Sequence, residues 1–342
     1  MKKKYTSVFF GTPDFALPSL QTTLLNTRVL GCVTQPDRPR GRGQKLSPCP
    51  VKTLAMENKV SCFSPPSLRK RPTDGELAKS FDEFFEWKKQ LEKPDFLIVT
   101  AYGNILPQEI LDWPKFGALN VHASLLPKWR GAAPIQRSIE AGDQLTGVSL
   151  QKMIFELDAG DVLLEKTLKL KPQDTAQTLS NTLSTLGGTL LNEFFDRFDG
   201  AVLKGAPQNS ANVSFAKKID KFEGYYSPTW TDFEFDRRVK AFLLWPSVKV
   251  KFLDQQVKIL ETKIVEGLEI HSPGSKNCGD LTILNNSVFL TTRNHFRPSE
   301  LGFVEILKVQ FAGKAPMPAF AAFQNFFHQN SKLSLCELKQ SE

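Results

Sequence analysis

Short apolar runs separated by segments of helical period dominate the first half of the chain. Such runs, rich in Val, Ile and Phe, cover residues 7–11, 29–34, 96–100 and 118–122. Continuous apolar runs without alternation are typical of strands that are buried on both faces, as in parallel sheets. Because helical patterns such as 51–58 lie between the runs, the pattern predicts an α/β fold with a Rossmann-like, open and mostly parallel sheet.

A strand pair and a long helix are predicted next. Residues 146–153 and 162–170 have strand patterns and predict a β-hairpin-like pair. Apolar side chains then recur every three or four residues from Ala176 to Phe198, which predicts a long amphipathic helix packed on the sheet. The glycine- and proline-rich segment 204–212 predicts a linker.

Beyond this linker the pattern changes to short strands that are separated by Gly, Asn, Asp and Pro. The predicted strands are 247–253, 257–265, 281–284, 287–292 and 304–311. Short strands at this spacing are typical of a small β-barrel, which we expect to be OB-like with a helical tail. The sequence therefore predicts a first domain at 1–203, a linker at 204–212 and a second domain at 213–342.

Composition narrows the class of protein. Of 342 residues, 41% are apolar and 23% charged, which excludes a disordered or collagen-like chain. The sequence contains no apolar run near the ~20 residues that a membrane span requires, so no membrane partner is expected. Its five cysteines are scattered without a CxxC motif, which argues against a disulfide framework or a zinc site. With no signal-like segment at the start, we expect a cytoplasmic protein.

The net charge of +8 is concentrated in one window. Residues 28–71 contain ten Lys and Arg against Asp37 and Glu57, so the rest of the chain is neutral in sum. A local basic window on a neutral body indicates contact with a polyanion. Its Pro-, Gly- and Arg-rich part, residues 36–50, is predicted to be a loop, and a merely solvated surface loop is the alternative interpretation. The highly charged residues 67–93 are predicted to contain a surface helix.

The candidate functional residues are most concentrated between residues 119 and 134. Asn120 and His122 lie two apart on a predicted strand, so their side chains point to one face near its carboxyl end, where open α/β sheets bind ligands. Asp158 follows at a glycine turn and could face the same cleft, with Asp161 as a neighbouring decoy. A lone histidine is more often structural, and an Asp-x-Gly turn is common turn chemistry.

Asn, His and Asp without an activated thiol or hydroxyl suit acyl transfer to an amine. An uncharged amine is already a nucleophile, and Asn120 and a protonated His122 can donate hydrogen bonds to the developing oxyanion. Asp158 can orient the histidine. The sequence has no GxGxxG after the first strand, no P-loop, and no HExxH or DxDxDG motif, so neither a dinucleotide nor a metal is expected.

Several motifs together resemble the methionyl-tRNA formyltransferases. In chain order they are Phe10-Gly-Thr-Pro-Asp-Phe-Ala16, Thr34-Gln-Pro-Asp-Arg-Pro-Arg-Gly-Arg-Gly43, Pro48-Cys-Pro-Val-Lys52, Asn120-Val-His-Ala-Ser-Leu-Leu-Pro127, Trp129-Arg-Gly-Ala-Ala-Pro-Ile-Gln136 and Leu157-Asp-Ala-Gly-Asp161. Asn-x-His with Ser-Leu-Leu-Pro is shared by formyltetrahydrofolate-using enzymes in general. The first two motifs are more specific to the tRNA enzymes.

The resemblance implies the formyltransferase fold and transfer of a formyl group from 10-formyltetrahydrofolate to the α-amino group of methionine on initiator tRNA. It implies that Asn120 and His122 bind and polarise the formyl oxygen and that Asp158 assists His122. The turn Ser124, Leu125, Leu126 and Pro127 would border the folate.

The resemblance also implies a tRNA contact. Arg38, Arg40, Arg42 and Lys45 would reach the acceptor end of the tRNA, and the second domain would lie on its flank. A monomer suits so bulky a substrate. The alternatives are a formyltetrahydrofolate hydrolase or a sugar-amine formyltransferase, neither of which needs the basic window, and a non-catalytic RNA-binding protein.

Overall fold

The described residues of the computed structural model are 4–40, 45–265, 277–297, 299–327 and 333–336. They form two compact units that interleave along the chain. The first unit contains residues 1–134, 145–169 and 180–217, and the second contains 135–144, 170–179 and 218–342. The domain boundaries at 203 and 213 stay a prediction.

The helices and strands of these described ranges follow in chain order. The strands are β1 (Tyr5–Gly11), β2 (Thr27–Val33), β3 (Arg38–Arg40), β4 (Lys45–Ser47), β5 (Cys62–Phe63), β6 (Phe96–Thr100), β7 (Gly117–His122), β8 (Arg130–Gly131), β9 (Leu145–Lys152), β10 (Val162–Lys169), β11 (Phe215–Ala216), β12 (Val248–Phe252), β13 (Gln255–Ile264), β14 (Asp280–Leu284), β15 (Ser287–Arg293), β16 (Leu301–Phe311), β17 (Met317–Pro318) and β18 (Leu333–Cys336). The α-helices are α1 (Leu17–Asn26), α2 (Pro50–Glu57), α3 (Gly75–Gln90), α4 (Gln108–Leu111), α5 (Pro134–Ala141), α6 (Ala176–Arg197), α7 (Asp232–Ala241) and α8 (Ala319–Phe327).

The first unit is built on a mixed, mostly parallel sheet, as the sequence predicts. Within the described residues its order is β10-β9-β7-β6-β1-β2-β5. The pairs from β7 to β5 are parallel, whereas β9 pairs antiparallel with both β7 and β10. The carboxyl ends of β1, β2, β6 and β7 therefore share one edge of the sheet.

Helix α6 packs on this sheet, which confirms the amphipathic pattern. Phe194 of α6 meets Phe96 of β6 edge-on, with ring centroids 5.7 Å apart. Gly187 marks a close approach, because a Cβ added there would come within 2.8 Å of Val121 on β7. Burial of this face, at roughly 25 cal/mol per Å² of apolar surface, fixes the helix on the sheet.

Two segments differ in detail from their sequence-based prediction. Residues 36–50, predicted as a loop, contain the antiparallel pair β3–β4, in which Arg38 pairs with Ser47 and Arg40 with Lys45. The main-chain ladder satisfies peptide groups that a loop would leave to water. The predicted surface helix in 67–93 is α3, but Phe84 on its inner face is fully buried.

The second unit contains a closed antiparallel barrel. Adjacent strands run in the order β13-β12-β18-β14-β15-β16, and β16 also pairs with β13, so that the ring closes. This confirms the predicted domain of antiparallel strands. Strand β18, which the sequence pattern did not indicate, completes the ring by pairing with both β12 and β14.

An ion-pair network lies within the second unit. Arg137 donates to both carboxylate oxygens of Glu223, at 2.6 and 3.0 Å, and to Glu140 at 2.7 Å. Arg238 lies 2.9 Å from Glu140. The pKa of Glu223 is subject to burial, which raises it, but the Arg137 hydrogen bonds and nearby positive charge lower it to below its ordinary value.

The helices in the described ranges include none that is both long and apolar enough to cross a membrane.

Candidate active site

The strand β7 carries Asn120 and His122 to the carboxyl edge of the first unit's sheet. Their side chains share one face because they lie two residues apart. In the antiparallel neighbour β9, Gln151 lies directly opposite Asn120 and Ser149 opposite His122. His122 is buried and Asn120 is half-buried, so the two side chains form a largely enclosed pair at the strand end.

Asp158 reaches the same place from the loop between β9 and β10. Its Oδ2 accepts the backbone N–H of Gly131 at 2.8 Å and lies 3.6 Å from Nδ1 of His122. Its Oδ1 accepts Nδ2 of Asn120 at 3.3 Å and Nε2 of Gln151 at 2.9 Å. The structure thus brings Asn120, His122 and Asp158 together around one carboxylate.

Backbone geometry at Asp158 is unusual. Its φ of 50° lies in the left-handed region, which costs a non-glycine residue free energy. Gly160 then allows a tight turn, because a Cβ there would lie 1.7 Å from the carbonyl oxygen of Lys152. The carboxylate is therefore positioned by a strained turn as well as by its hydrogen bonds.

The second ring nitrogen of His122 is fixed by Trp129. Nε2 lies 2.9 Å from the Trp129 carbonyl oxygen. Since a carbonyl can only accept, Nε2 carries a hydrogen, and Nδ1 faces Asp158. Trp129 has a φ of 63°, also left-handed, which turns its carbonyl toward the ring.

Asp161 does not belong to this cluster, in agreement with its interpretation as a decoy. Its side chain is exposed, and its contact with the neighbouring strand is through its backbone carbonyl, which accepts the N–H of Lys152 at 2.9 Å. Of the two aspartates at this turn, only Asp158 contacts His122 or Asn120 within the described part of the chain.

Sequence reasoning missed two glutamines at the site. Gln151 is 1% exposed, and its carbonyl oxygen Oε1 has no hydrogen-bond partner among the described residues. Gln208 donates to the carbonyl oxygens of Asp158 and Gly160 at 2.8 and 2.7 Å. The register of β7 against β9 would have indicated Gln151; no local signal indicates Gln208, which lies in the predicted linker.

The turn Ser124–Pro127 continues directly from β7. The hydroxyl of Ser124 donates to the carbonyl oxygen of Lys128 at 2.6 Å, and the N–H of Leu126 donates to the hydroxyl of Ser149 at 3.0 Å. Ser124 and Leu126 are thereby fixed in the turn that follows His122. Ser124 and Leu126 are buried, whereas Leu125 and Pro127 are half-buried.

Of the predicted basic residues, Arg38 and Arg40 lie on β3 and Lys45 lies on β4. Arg38 is exposed and donates to Oε1 of Gln35 at 3.0 Å. Arg40 and Lys45 pair through their backbones. Arg42 lies outside the described residues.

Other features of the first unit do not point to a different site. A shallow cavity of about 490 Å³ lies between β10 and α6 and is lined by residues such as Thr167 and Thr185. It contains none of the groups described above. The described residues hold no cluster of three or more His, Cys, Asp or Glu suited to a metal ion.

Comparison with known proteins assigns both parts of the chain to one family. Residues 7–194 match the family model described as formyl transferase, and residues 218–326 match that of the formyl transferase C-terminal domain. A methionyl-tRNA formyltransferase of Sulfurihydrogenibium is 42% identical over 260 residues, covering 76% of this chain and 80% of that protein. That of Idiomarina loihiensis is 38% identical over 321 residues, covering 91% of this chain and 93% of that protein.

A solved structure shows the same fold. The N-formyltransferase from Helicobacter canadensis, in complex with folinic acid and dTDP-3-aminofucose, superimposes with a TM-score of 0.62 at 16% identity. The match covers 90% of this chain and 99% of that one.

Proposed function

The chain belongs to the methionyl-tRNA formyltransferase family, and from that membership we propose how its own residues carry out the reaction. The enzyme transfers a formyl group from 10-formyltetrahydrofolate to the methionine of initiator methionyl-tRNA. A C–N bond forms between the methionine α-amine and the formyl carbon, the bond from that carbon to N10 of the folate breaks, and a proton passes from the amine to N10. The geometry that supports the residue roles is the convergence of Asn120, His122 and Asp158 at the end of β7.

Asn120 supplies one hydrogen bond to the formyl oxygen. Its Nδ2 has two hydrogens, and the 3.3 Å contact with Asp158 uses one of them. The other is available for the oxygen on which negative charge develops as the amine attacks. Such a donor is worth most in an enclosed site, where losing it costs about 10²–10³ in rate.

His122 and Asp158 act as a pair. The Trp129 carbonyl fixes the ring through Nε2, and the Asp158 carboxylate lies 3.6 Å from Nδ1. The carboxylate facing Nδ1 orients the imidazole, so that the ring can polarise the formyl oxygen as negative charge develops on it. Asp158 orients His122, and a water between them and the substrate would relay the proton that leaves the amine.

We assign the folate border to the turn Ser124, Leu125, Leu126 and Pro127. Two observations support this assignment: the turn continues from β7 at the carboxyl edge of the sheet, and its backbone is fixed beside His122 by Ser149. Ligands of open α/β sheets bind at this edge. The half-buried Leu125 and Pro127 provide apolar surface for an aromatic ring system.

The tRNA contact is assigned to Arg38, Arg40, Arg42 and Lys45. The β3–β4 hairpin follows β2, whose carboxyl end lies at the same edge of the sheet as that of β7. Arginine and lysine side chains there would bind the phosphates next to the aminoacylated end. A bound polyanion at this edge would have its terminal amine near the catalytic pair.

The barrel of the second unit carries lysines that lie next to one another on neighbouring strands. Lys249 pairs with Lys258 across β12 and β13. The pKa of Lys249 lies below its ordinary value because of burial and then because of the charges of Lys258 and Lys221. Lysines crowded in this way favour binding of a phosphate backbone, which agrees with a barrel on the flank of the tRNA.

We further propose that the enzyme acts as a monomer in the cytoplasm, where its tRNA substrate is used.

One assay tests the function. The purified protein is incubated with 10-formyltetrahydrofolate and initiator methionyl-tRNA, and N-formylmethionine released from the tRNA is identified by mass. His122→Ala is the matched negative control. Folate turnover without formylated tRNA would instead indicate a hydrolase, and RNA binding without turnover would indicate a non-catalytic module; either result rejects the proposal.

A further inference from the structure

The half-buried side chain of Gln208 joins two parts of the active site that are far apart in sequence. Its Nε2 donates to the carbonyl oxygens of Asp158 and Gly160 at 2.8 and 2.7 Å. Its Oε1 accepts from Nε and Nη2 of Arg130 at 3.0 and 2.8 Å. Both hydrogens and both lone pairs of the amide are thereby used.

The orientation of this amide is unambiguous. Arg130 can only donate and the two carbonyl oxygens can only accept, so the nitrogen of Gln208 must face the Asp158–Gly160 turn and its oxygen must face Arg130. No other side chain of this length offers two donors on one arm and a neutral acceptor on the other. The contacts therefore require glutamine itself.

Through these contacts Asp158 is held at both its backbone and its side chain. The backbone carbonyl of Asp158 is fixed by Gln208, while its carboxylate is fixed by the N–H of Gly131 at 2.8 Å. Gly131 directly follows Arg130, the other partner of Gln208, and the residue Arg130 is 7% exposed. The strained φ of 50° at Asp158 is thus stabilised from both its backbone and its side chain.

The chain after Gln208 continues to support the same loop. The hydroxyl of Ser214 accepts the N–H of Trp129 at 3.0 Å, and its carbonyl accepts the N–H of Arg130 at 2.9 Å. The Trp129 carbonyl is the partner of His122. Gln208 of the predicted linker and Ser214, two residues beyond it, therefore contact the chain segments that hold Asp158 and His122.

We propose that Gln208 is a positioning residue for formyl transfer: it fixes the turn that carries Asp158 against Arg130 and so places the carboxylate beside His122. The expected effect of Gln208 on the rate rests on the proposed function. The hydrogen bonds by which Gln208 fixes the turn can be tested whether or not that function holds. Gln208 does not contact the reacting atoms and acts through Asp158.

The decisive variant is Gln208→Glu. It keeps the size of the side chain and an acceptor for Arg130, but replaces the two N–H donors by an oxygen that faces two carbonyl oxygens. The turn must then shift, and a displacement of about 1 Å in a catalytic group costs about 100-fold in rate. The matched control is Gln21→Glu, at an exposed position of α1.

Kinetics and hydrogen exchange provide separate readouts. We expect kcat to fall about 100-fold in Gln208→Glu while KM for folate and for tRNA changes less than about threefold. We expect the Gly131 amide to exchange about tenfold faster, because its acceptor Asp158 moves away. Gln208→Ala should also lower kcat and speed the exchange of the Gly131 amide. Gln21→Glu should match the wild type in both measurements.

The outcomes are distinguishable. Wild-type kcat together with wild-type exchange at Gly131 in Gln208→Glu would overturn the inference, as would an increase in KM alone. If the wild-type enzyme formed no formylmethionyl-tRNA, the proposed function would fail, and the exchange rate of Gly131 would still decide whether Gln208 fixes the Asp158 turn. Should Gln208→Glu fail to fold, as judged by its circular dichroism, Gln208→Ala takes its place in both measurements.

Discussion

The Nδ1 atom of His122 lies 3.6 Å from Oδ2 of Asp158, an oxygen that also accepts the N–H of Gly131 at 2.8 Å. The carboxylate thus receives donors on both oxygens, since Oδ1 accepts from Asn120 and Gln151. These hydrogen-bond donors hold the Asp158 carboxylate so that it faces the imidazole of His122. The site is therefore sensitive even to substitutions between a carboxylate and an amide, which preserve the shape of the side chain.

Asp158→Asn should inactivate the enzyme without unfolding it. An amide has one acceptor oxygen where the carboxylate has two, so its NH₂ group must face at least one of the donors that converge there. It also removes the negative charge beside His122. We expect kcat to fall at least about 100-fold with little change in tRNA affinity, measured by formylation kinetics and filter binding.

The exposed Asp161 provides the matched control for that substitution. Asp161→Asn changes the same functional group three residues away and should leave kcat within about twofold of the wild type. Equal losses in both variants would show that the turn as a whole, rather than the Asp158 carboxylate, is required.

Asn120→Asp should be as damaging as removal of the side chain. The new carboxylate would lie about 3.3 Å from Oδ1 of Asp158, where Nδ2 now donates. It would lose the donor for the formyl oxygen and add like-charge repulsion, so we expect a loss of about 10²–10³ in kcat.

The control for Asn120→Asp is Asn212→Asp, at an exposed position.

Asn120→Ala and His122→Ala should likewise abolish formyl transfer while tRNA still binds, as measured by gel shift. Near-normal turnover in either variant would reject the assignment of the active site.

Substitutions in the β3–β4 hairpin should weaken tRNA use and leave folate use unchanged. Arg38→Ala and Arg42→Ala each remove a candidate phosphate ligand, so KM for tRNA should rise. The slope of log affinity against log salt should become shallower by about 0.7–0.9 for each phosphate that the variant no longer neutralises. Lys70→Ala, in the same basic window but outside the hairpin, is the control. If the salt slope stays unchanged in the hairpin variants, the hairpin is only a surface loop.

Glu223→Gln should destabilise the second unit in a pH-dependent way. The lowered pKa of Glu223 in the folded protein means that its ion pair with Arg137 stabilises fully above its unfolded pKa of about 4.3. That stabilisation is lost as the pH falls through the folded pKa. We expect the variant to lose about 1–2 kcal/mol at pH 7 and progressively less below about pH 4.

Thermal denaturation at pH 7 and at about pH 3.5 would measure this difference, with the exposed Glu261→Gln as the control. A difference between variant and wild type that grew toward acid pH would contradict the sign of the effect.

Much of the site could be predicted from local sequence. The two-residue spacing of Asn120 and His122 on a strand is enough to place both side chains on one face, and the structure brings them together with Asp158 as expected. The parallel sheet and the antiparallel second domain follow from the apolar periodicity, which is a local property. The β3–β4 hairpin could not be seen, because Arg, Pro and Gly give no strand pattern and its pairing is made by main-chain groups alone.

Gln208 shows where local reasoning ends. It lies in a segment whose Gly, Ala, Pro and Asn content indicates only a linker, yet it bonds to Asp158, 50 residues away, and to Arg130, 78 residues away. No periodicity connects residues at such separations.

The sequence by itself therefore determined the architecture, the family resemblance and the residue types of the candidate catalytic residues, because these depend on side-chain period and on short motifs. Only the tertiary structure decided which backbone and amide groups fix Asp158 beside His122. Those choices depend on chain segments that become neighbours only after the sheet, the loop after β9 and the segment after α6 have folded together. The free energy that selects them comes from hydrogen bonds formed in a largely enclosed site, which the linear order of residues does not reveal.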